Sequence, residues 1–259
     1  MDTLFWHSCG YNNKNAGDLV GPYLYEKITG IQPIRENNPS SSNGNKFLLT
    51  CGSIVNPRYM HPKRTIIWGS GIIKQTLKLN SPNSIHAVRG PLTRNEFLKN
   101  NIECPEVYGD PAILLRKFYT PKIDNRKEFK LGIIPHYVDY SFTNKMYTDK
   151  ENIKIIDICN DVENVIDEIS ECSLLISTSL HGIIFSHTYG RSCAWSKSKV
   201  GLYGNDCKFA DYFLTTDLVQ QPVNIFSKKY SIQELSKFAE NNLSIQYGKN
   251  ELFYVCPFK

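Results

Sequence analysis

The chain contains no run of about 18 apolar residues, so nothing in it reads as a membrane-spanning helix. Its eight cysteines, at positions 9, 51, 104, 159, 172, 193, 207 and 256, form no C-x-x-C pair. That spacing offers neither a zinc cluster nor a redox pair. The opening MDTLFWHSCG has no basic stretch and no long apolar core, so no secretory signal is expected. Reduced thiols in a cytoplasmic protein are the corresponding expectation. No repeat of fixed period occurs, which argues against a solenoid. No G-x-G-x-x-G is present, which gives a dinucleotide site little weight. Thirty basic against 25 acidic residues leave a net charge of only +5, without the basic stripe of a dedicated nucleic-acid binder. The mild surplus suits an anionic small substrate or an anionic membrane surface.

What is present is ordinary globular composition, 41% apolar and 21% charged, over 259 residues. That length allows one large domain or two smaller ones. Short β-type runs alternate with helical patterns, as expected of parallel sheets covered by helices. Strands are predicted at Thr3–Trp6, Lys46–Thr50, Thr65–Trp68 and Ile85–Val88, with helices at Asp18–Lys27 and Pro91–Asn100. The polar stretch ENNPSSSNGN, Glu36 to Asn45, reads as a loop. The pattern breaks at FYTPKIDNRKEF, Phe118 to Phe129, which reads as an interdomain linker. It then restarts with strands at Lys130–Pro135, Lys154–Asp157, Leu174–Ser177 and Cys193–Ser196 and helices at Val162–Cys172, Gly182–Tyr189 and Ile232–Asn241. The expectation is two Rossmann-like α/β domains, 1–120 and 121–259, with their parallel sheets facing a central cleft. The apolar tail LFYVCPF is expected to pack back on the first domain.

Open α/β sheets bind ligands at the carboxyl ends of their strands, so the loops after strands are where chemistry is sought. In NKNAGDLVGPYL, Asn13 to Leu24, Asp18 is placed to cap a helix beginning at Leu19. Such a turn also brings backbone N–H groups to an anion. In WGSGI, Trp68 to Ile72, two glycines around Ser70 suit either close ligand approach or a tight turn. In HAVRGPLTRNEFL, Arg89 follows a strand directly and Pro91 suits a first helical turn. Arg89 either clamps a carboxylate or phosphate in the cleft or pairs with a carboxylate such as Asp110, itself read as structural.

Two histidines follow strands in the second half: His136 in IIPHY and His181 in ISTSLHGIIFSHTYG. His181 immediately precedes Gly182 and a helix, where an imidazolium and helix N–H groups together make an anion site and a proton donor. His187 falls inside that helix and reads as structural, and His7, His61 and His86 lack such context. Trp68 and Trp195 lie near strand ends, where core packing is the better reading and stacking on a sugar the other.

Taken in order, N-A-G-D, G-S-G, V-R-G-P-L-T, G-D-P-A, I-P-H-Y, S-T-S-L-H-G and S-K-V resemble the polysaccharide pyruvyl transferase family, over about Asn15 to Phe213. The resemblance implies a GT-B-like fold and transfer of pyruvyl from phosphoenolpyruvate to a sugar, forming a pyruvate ketal without cofactor or metal. It implies His181 as acid, Arg89 and Lys199 as clamps on the donor, Asp18 as base or acceptor-orienting group, and His136 as a ligand to acceptor or phosphate. Asn15, Ser70 and Ser179 join the candidate binding residues through the same motifs. It further implies capsule or exopolysaccharide assembly, a lipid-linked oligosaccharide acceptor, and peripheral association with the cytoplasmic face of the inner membrane. One departure stands out: many relatives read Arg-Leu-His where this chain has Ser179-Leu180-His181, so Arg191, Lys197 or Lys199 is expected to supply the missing cation. The alternatives are a GT-B glycosyltransferase with a nucleotide-sugar donor and a non-catalytic glycan-binding protein on the same fold.

Overall fold

The computed structural model describes residues 2–7, 14–40, 45–122, 129–149, 151–243 and 249–259. Cys9, Asn13 and parts of the predicted loop and linker, 41–44 and 123–128, lie outside the described residues. The first half runs β1 (Thr3–Phe5), α1 (Ala16–Thr29), β2 (Ile34–Arg35), β3 (Phe47–Leu49), β4 (Thr65–Trp68), β5 (Ser84–Ala87) and α2 (Pro91–Lys99). A 3-10 turn at Pro111–Lys117 follows. The second half runs β6 (Phe129–Ile134), α3 (Tyr140–Met146), β7 (Ile153–Ile155), α4 (Val162–Ser170), β8 (Cys172–Ser177), α5 (Leu180–Thr188), β9 (Ser192–Trp195), α6 (Cys207–Phe213), α7 (Ile232–Ala239) and α8 (Lys249–Tyr254).

β1, β3 and β4 are buried at every residue, which is why they read as unbroken apolar runs rather than alternating ones. They lie in a five-stranded sheet of order β2-β1-β3-β4-β5, and β7-β6-β8-β9 form a second sheet. Every strand pair in both is parallel. Each sheet is doubly wound. The chain moves outward from β1 in one direction to β2 and in the other to β3, and likewise from β6 to β7 and β8. The points where the winding reverses, β1/β3 and β6/β8, leave the crevices in which such folds hold ligands.

α1 starts two residues earlier than predicted because its N-cap is Asn15, whose Oδ1 accepts the backbone N–H groups of Gly17 and Asp18. Asp18 is thereby displaced from the capping role that the sequence suggested for it and sits in the first turn. A single buried cluster joins α1, the Pro111–Lys117 turn, α4 and α5, with Val20, Leu24, Leu114, Val165 and Ile184 among its members. The two sheets are thus held by shared packing. α8 and the residues after it lie against the first sheet: the Trp68 indole N–H donates to Leu252 O at 2.8 Å, and the Phe258 ring meets Trp68 and Tyr25. Trp68 is fully buried and Trp195 stacks on Phe209, so both are core residues. β2, α3, α6 and α8 lacked a sequence signal; β2 is a two-residue edge strand, too short for periodicity.

Candidate active site

A pocket of about 350 Å³ opens where both reversal points meet. Asn15 and Asp18 enter it after β1, Gly52, Ser53 and Ile54 after β3, His136 and Tyr137 after β6, and Ser179, Leu180 and His181 after β8. Lys208 of α6 completes the wall.

The β8–α5 turn presents His181. Ser177 Oγ accepts the Ser179 N–H at 3.0 Å and donates to Ile134 O at 2.8 Å, tying the strand end to its neighbour β6. A Cβ at residue 182 would come within 2.4 Å of Ser177 Oγ, so glycine lets α5 start directly on the sheet. Ser179 makes no side-chain cap to α5. The opening turn of this helix therefore faces the pocket with its N–H groups uncapped by a side chain, an electropositive end suited to an anion.

Behind His181 lies a buried polar cluster. Its Nε2 stands 3.5 Å from Asp110 Oδ2 and 3.2 Å from Cys51 Sγ. The Cys51 thiol donates to Asp110 Oδ1 at 3.1 Å, and the same oxygen accepts the Ala112 N–H. Burial opposes charge on Asp110, yet the imidazole and these donors hold its carboxyl below the usual range. Burial, then the Asp110 carboxylate, pushes the Cys51 thiol far up, so it is a neutral S–H donor. A carboxylate kept ionised beside an imidazole fixes the orientation of the ring.

His136 differs. Burial first, then Lys208 and His181, push it down to about 3, so its imidazole is neutral. Its Nδ1 is buried with no hydrogen-bond partner. Its backbone N–H donates to Thr178 Oγ1, whose hydroxyl donates in turn to the buried Asp139. Asp139 also accepts from Ser198 Oγ and the Lys199 N–H, locking the loop after β9 to the ends of β6 and β8.

Several expected residues lie elsewhere. Arg89 is 0% exposed, does not line the pocket, and is not a clamp there. Its Nε donates to Asp211 Oδ2 at 3.0 Å, its Nη2 to Ile72 O and its Nη1 to Ser53 Oγ. The pairing alternative holds, with Asp211 rather than Asp110 as partner, and Arg89 reaches the pocket only by bracing Ser53. Ser70 is buried and donates to Thr50 O. Lys199 lies exposed with Nζ 5.0 Å from the Phe142 ring, and Lys197 lines a separate groove beside Trp195. Arg191 precedes β9, at the opposite end of the sheet, and donates to Ser170 O. None of the three supplies a cation to this pocket. His187 is buried between Tyr212 Oη and Asn242 O, a structural role as expected.

Among the described residues lining the pocket, Lys208 is the one lysine or arginine, and no sequence signal marked it. It sits on a seven-residue helix that follows Asp206 in left-handed backbone, with too few turns to show a period. His7, read as lacking context, also reaches the pocket, after β1.

A family model described as polysaccharide pyruvyl transferase matches residues 58–196, which include His136 and His181. An uncharacterised protein of Acanthamoeba polyphaga mimivirus is 30% identical over 237 residues, covering 86% of this chain and 80% of its own. A functionally uncharacterised protein of Klebsiella pneumoniae subsp. pneumoniae is similar in structure at a TM-score of 0.46 and 15% identity, over 82% of this chain and 87% of that one.

Proposed function

We propose, since the chain belongs to the polysaccharide pyruvyl transferase family, that its pocket takes phosphoenolpyruvate and transfers the pyruvyl unit to a sugar as a ketal, in a cleft of the GT-B kind. The observation that carries this reading is the pairing of His181 with the ionised Asp110 beside the uncapped start of α5. Protonation of the donor's methylene carbon by His181 turns C2 into an oxocarbenium-like centre. A sugar hydroxyl adds there and its proton returns to the imidazole. Phosphate then leaves, and a second hydroxyl closes the ketal, its proton taken up by Asp18 or by the departing phosphate. Lys208 and the N–H groups of α5 face the donor's phosphate and carboxylate, in the place of the arginine that Ser179 replaces. Neutral His136 offers Nδ1 to a hydroxyl or phosphate oxygen. No cofactor takes part.

The acceptor is a sugar of a surface polysaccharide, as in capsule or exopolysaccharide assembly. On this reading it is presented on a lipid carrier at the cytoplasmic membrane face, where the protein's positive charge holds it peripherally. No helix among the described residues is long and apolar enough to cross a membrane. Isothermal titration with phosphoenolpyruvate beside UDP-sugars, in wild type and Lys208→Ala, tests the donor. Selective phosphoenolpyruvate binding weakened by the substitution is expected. Binding of a UDP-sugar alone would move the protein to the glycosyltransferases.

A further inference from the structure

The cluster behind His181 has a second capacity. Cys51 Sγ, a carboxylate oxygen of Asp110 and His181 Nε2 lie within 4.8 Å of one another, brought together from the ends of β3 and β8 and the start of the Pro111–Lys117 turn. The separations, 3.1 Å from Sγ to Oδ1, 3.2 Å from Sγ to Nε2 and 3.5 Å from Nε2 to Oδ2, bear on what could sit between them. Ligands at ordinary zinc–sulfur, zinc–nitrogen and zinc–oxygen distances around a tetrahedron stand roughly 3.3–3.6 Å apart. Sγ meets the carboxylate through Oδ1 and Nε2 meets it through Oδ2, so a cation between them takes one of these oxygens after a small rotation of the Asp110 carboxylate. An independent observation points the same way: Asp110 Oδ2 is fully buried, faces His181, and has no hydrogen-bond partner. A buried carboxylate oxygen without a donor is costly unless something cationic meets it.

We propose that Cys51, Asp110 and His181 form a binding site for a borderline-soft divalent cation, with zinc the best match, and that its occupation silences His181. A thiolate, an imidazole and one carboxylate suit zinc or cobalt, whereas magnesium and calcium require all-oxygen shells. Binding breaks the Cys51 S–H bond, forms a metal–sulfur bond and releases the proton to solvent. Of the three, only His181 lines the pocket, so the fourth ligand is a water or substrate oxygen on that side. A histidine whose Nε2 is ligated can no longer form the imidazolium that acts as acid. The silencing half of this inference rests on the proposed acid role of His181; the binding half does not.

The test is titration of the purified, metal-stripped protein with cobalt, followed by displacement with zinc. One equivalent producing a thiolate-to-cobalt absorption band, abolished by zinc and unaffected by magnesium, is expected. Cys51→Ser and His181→Ala should weaken zinc binding by at least about 100-fold, the upper end of what losing even an outer partner of a ligand costs. Cys207→Ser, a cysteine outside the cluster, should keep the band. Absence of the band in wild type, or its survival in Cys51→Ser, would overturn the site, and the wild-type arm needs no variant to fold. Where pyruvyl transfer is measured, zinc should abolish it over the concentration range that fills the site. Full turnover at saturating zinc would refute the silencing while leaving the spectral result intact. A protein with no transfer activity at all would bear on the proposed function and not on the site.

Discussion

The His181 ring lies so close to the backbone of Gly17 that a Cβ at residue 17 would stand 2.0 Å from Nδ1. α1 and α5, from different halves of the chain, therefore meet at a glycine and an imidazole. Gly17→Ala must displace the ring from its position against Asp110 and Cys51. A displacement of about 1 Å can cost ~100-fold in rate, and that is the expected fall in kcat. Stability should change little, because alanine gains about 0.5–1 kcal/mol of helix preference against the crowding. An unchanged kcat would show that the ring's position against α1 does not matter.

Arg89 and Asp211 are each 0% exposed and bonded to one another, and Asp211 also accepts from the Thr93 N–H and hydroxyl. Removing either partner strands a buried charge, so Arg89→Ala and Asp211→Ala should each lose about 3–5 kcal/mol in urea unfolding. The Arg89→Met/Asp211→Leu double variant should lose clearly less than the sum. Strict additivity would deny the coupling.

Lys208 lines the pocket and Lys199 does not. Loss of a charged hydrogen bond costs about 1.5–3 kcal/mol, so Lys208→Ala should weaken phosphoenolpyruvate roughly 10- to 100-fold by calorimetry. Lys199→Ala, Lys197→Ala and Arg191→Ala should bind as wild type. A loss confined to Lys199→Ala would return the clamp to the loop after β9.

Acid should destabilise the fold through its buried histidines. His136 is pushed down to about 3 and His187 to about 4, in both cases first by burial, from the ordinary 6.5. The unfolded chain therefore binds more protons as pH falls below 6.5, and stability declines progressively from there towards about pH 3. Above 6.5 these groups contribute no slope. Urea midpoints between about pH 7 and about pH 4 should fall less steeply in His136→Asn. Equal slopes in the two proteins would place the acid sensitivity elsewhere.

The alternation of strands and helices was legible because the buried parallel strands are unbroken apolar runs, and His181 and His136 because both stand directly after such runs. Arg89 stands after one too, but local sequence does not show that Asp211, 122 residues later, returns to pair with it. Cys51, Asp110 and His181 form no spacing motif, since 59 and 130 residues separate Cys51 from its two neighbours. Asp18 drew the capping role because it precedes the apolar face of α1, while Asn15 takes it by bonding two N–H groups.

The indole of Trp68 is sealed by a carbonyl 184 residues further along the chain. During synthesis at ribosomal speed, that partner arrives roughly 10–40 s after the tryptophan. Until residues 249–258 have been made, Trp68 and Tyr25 lack the partners that Leu252 and Phe258 supply. Birth of this protein cannot be a plain head-to-tail relay of finished halves, because its earliest strands await its latest residues.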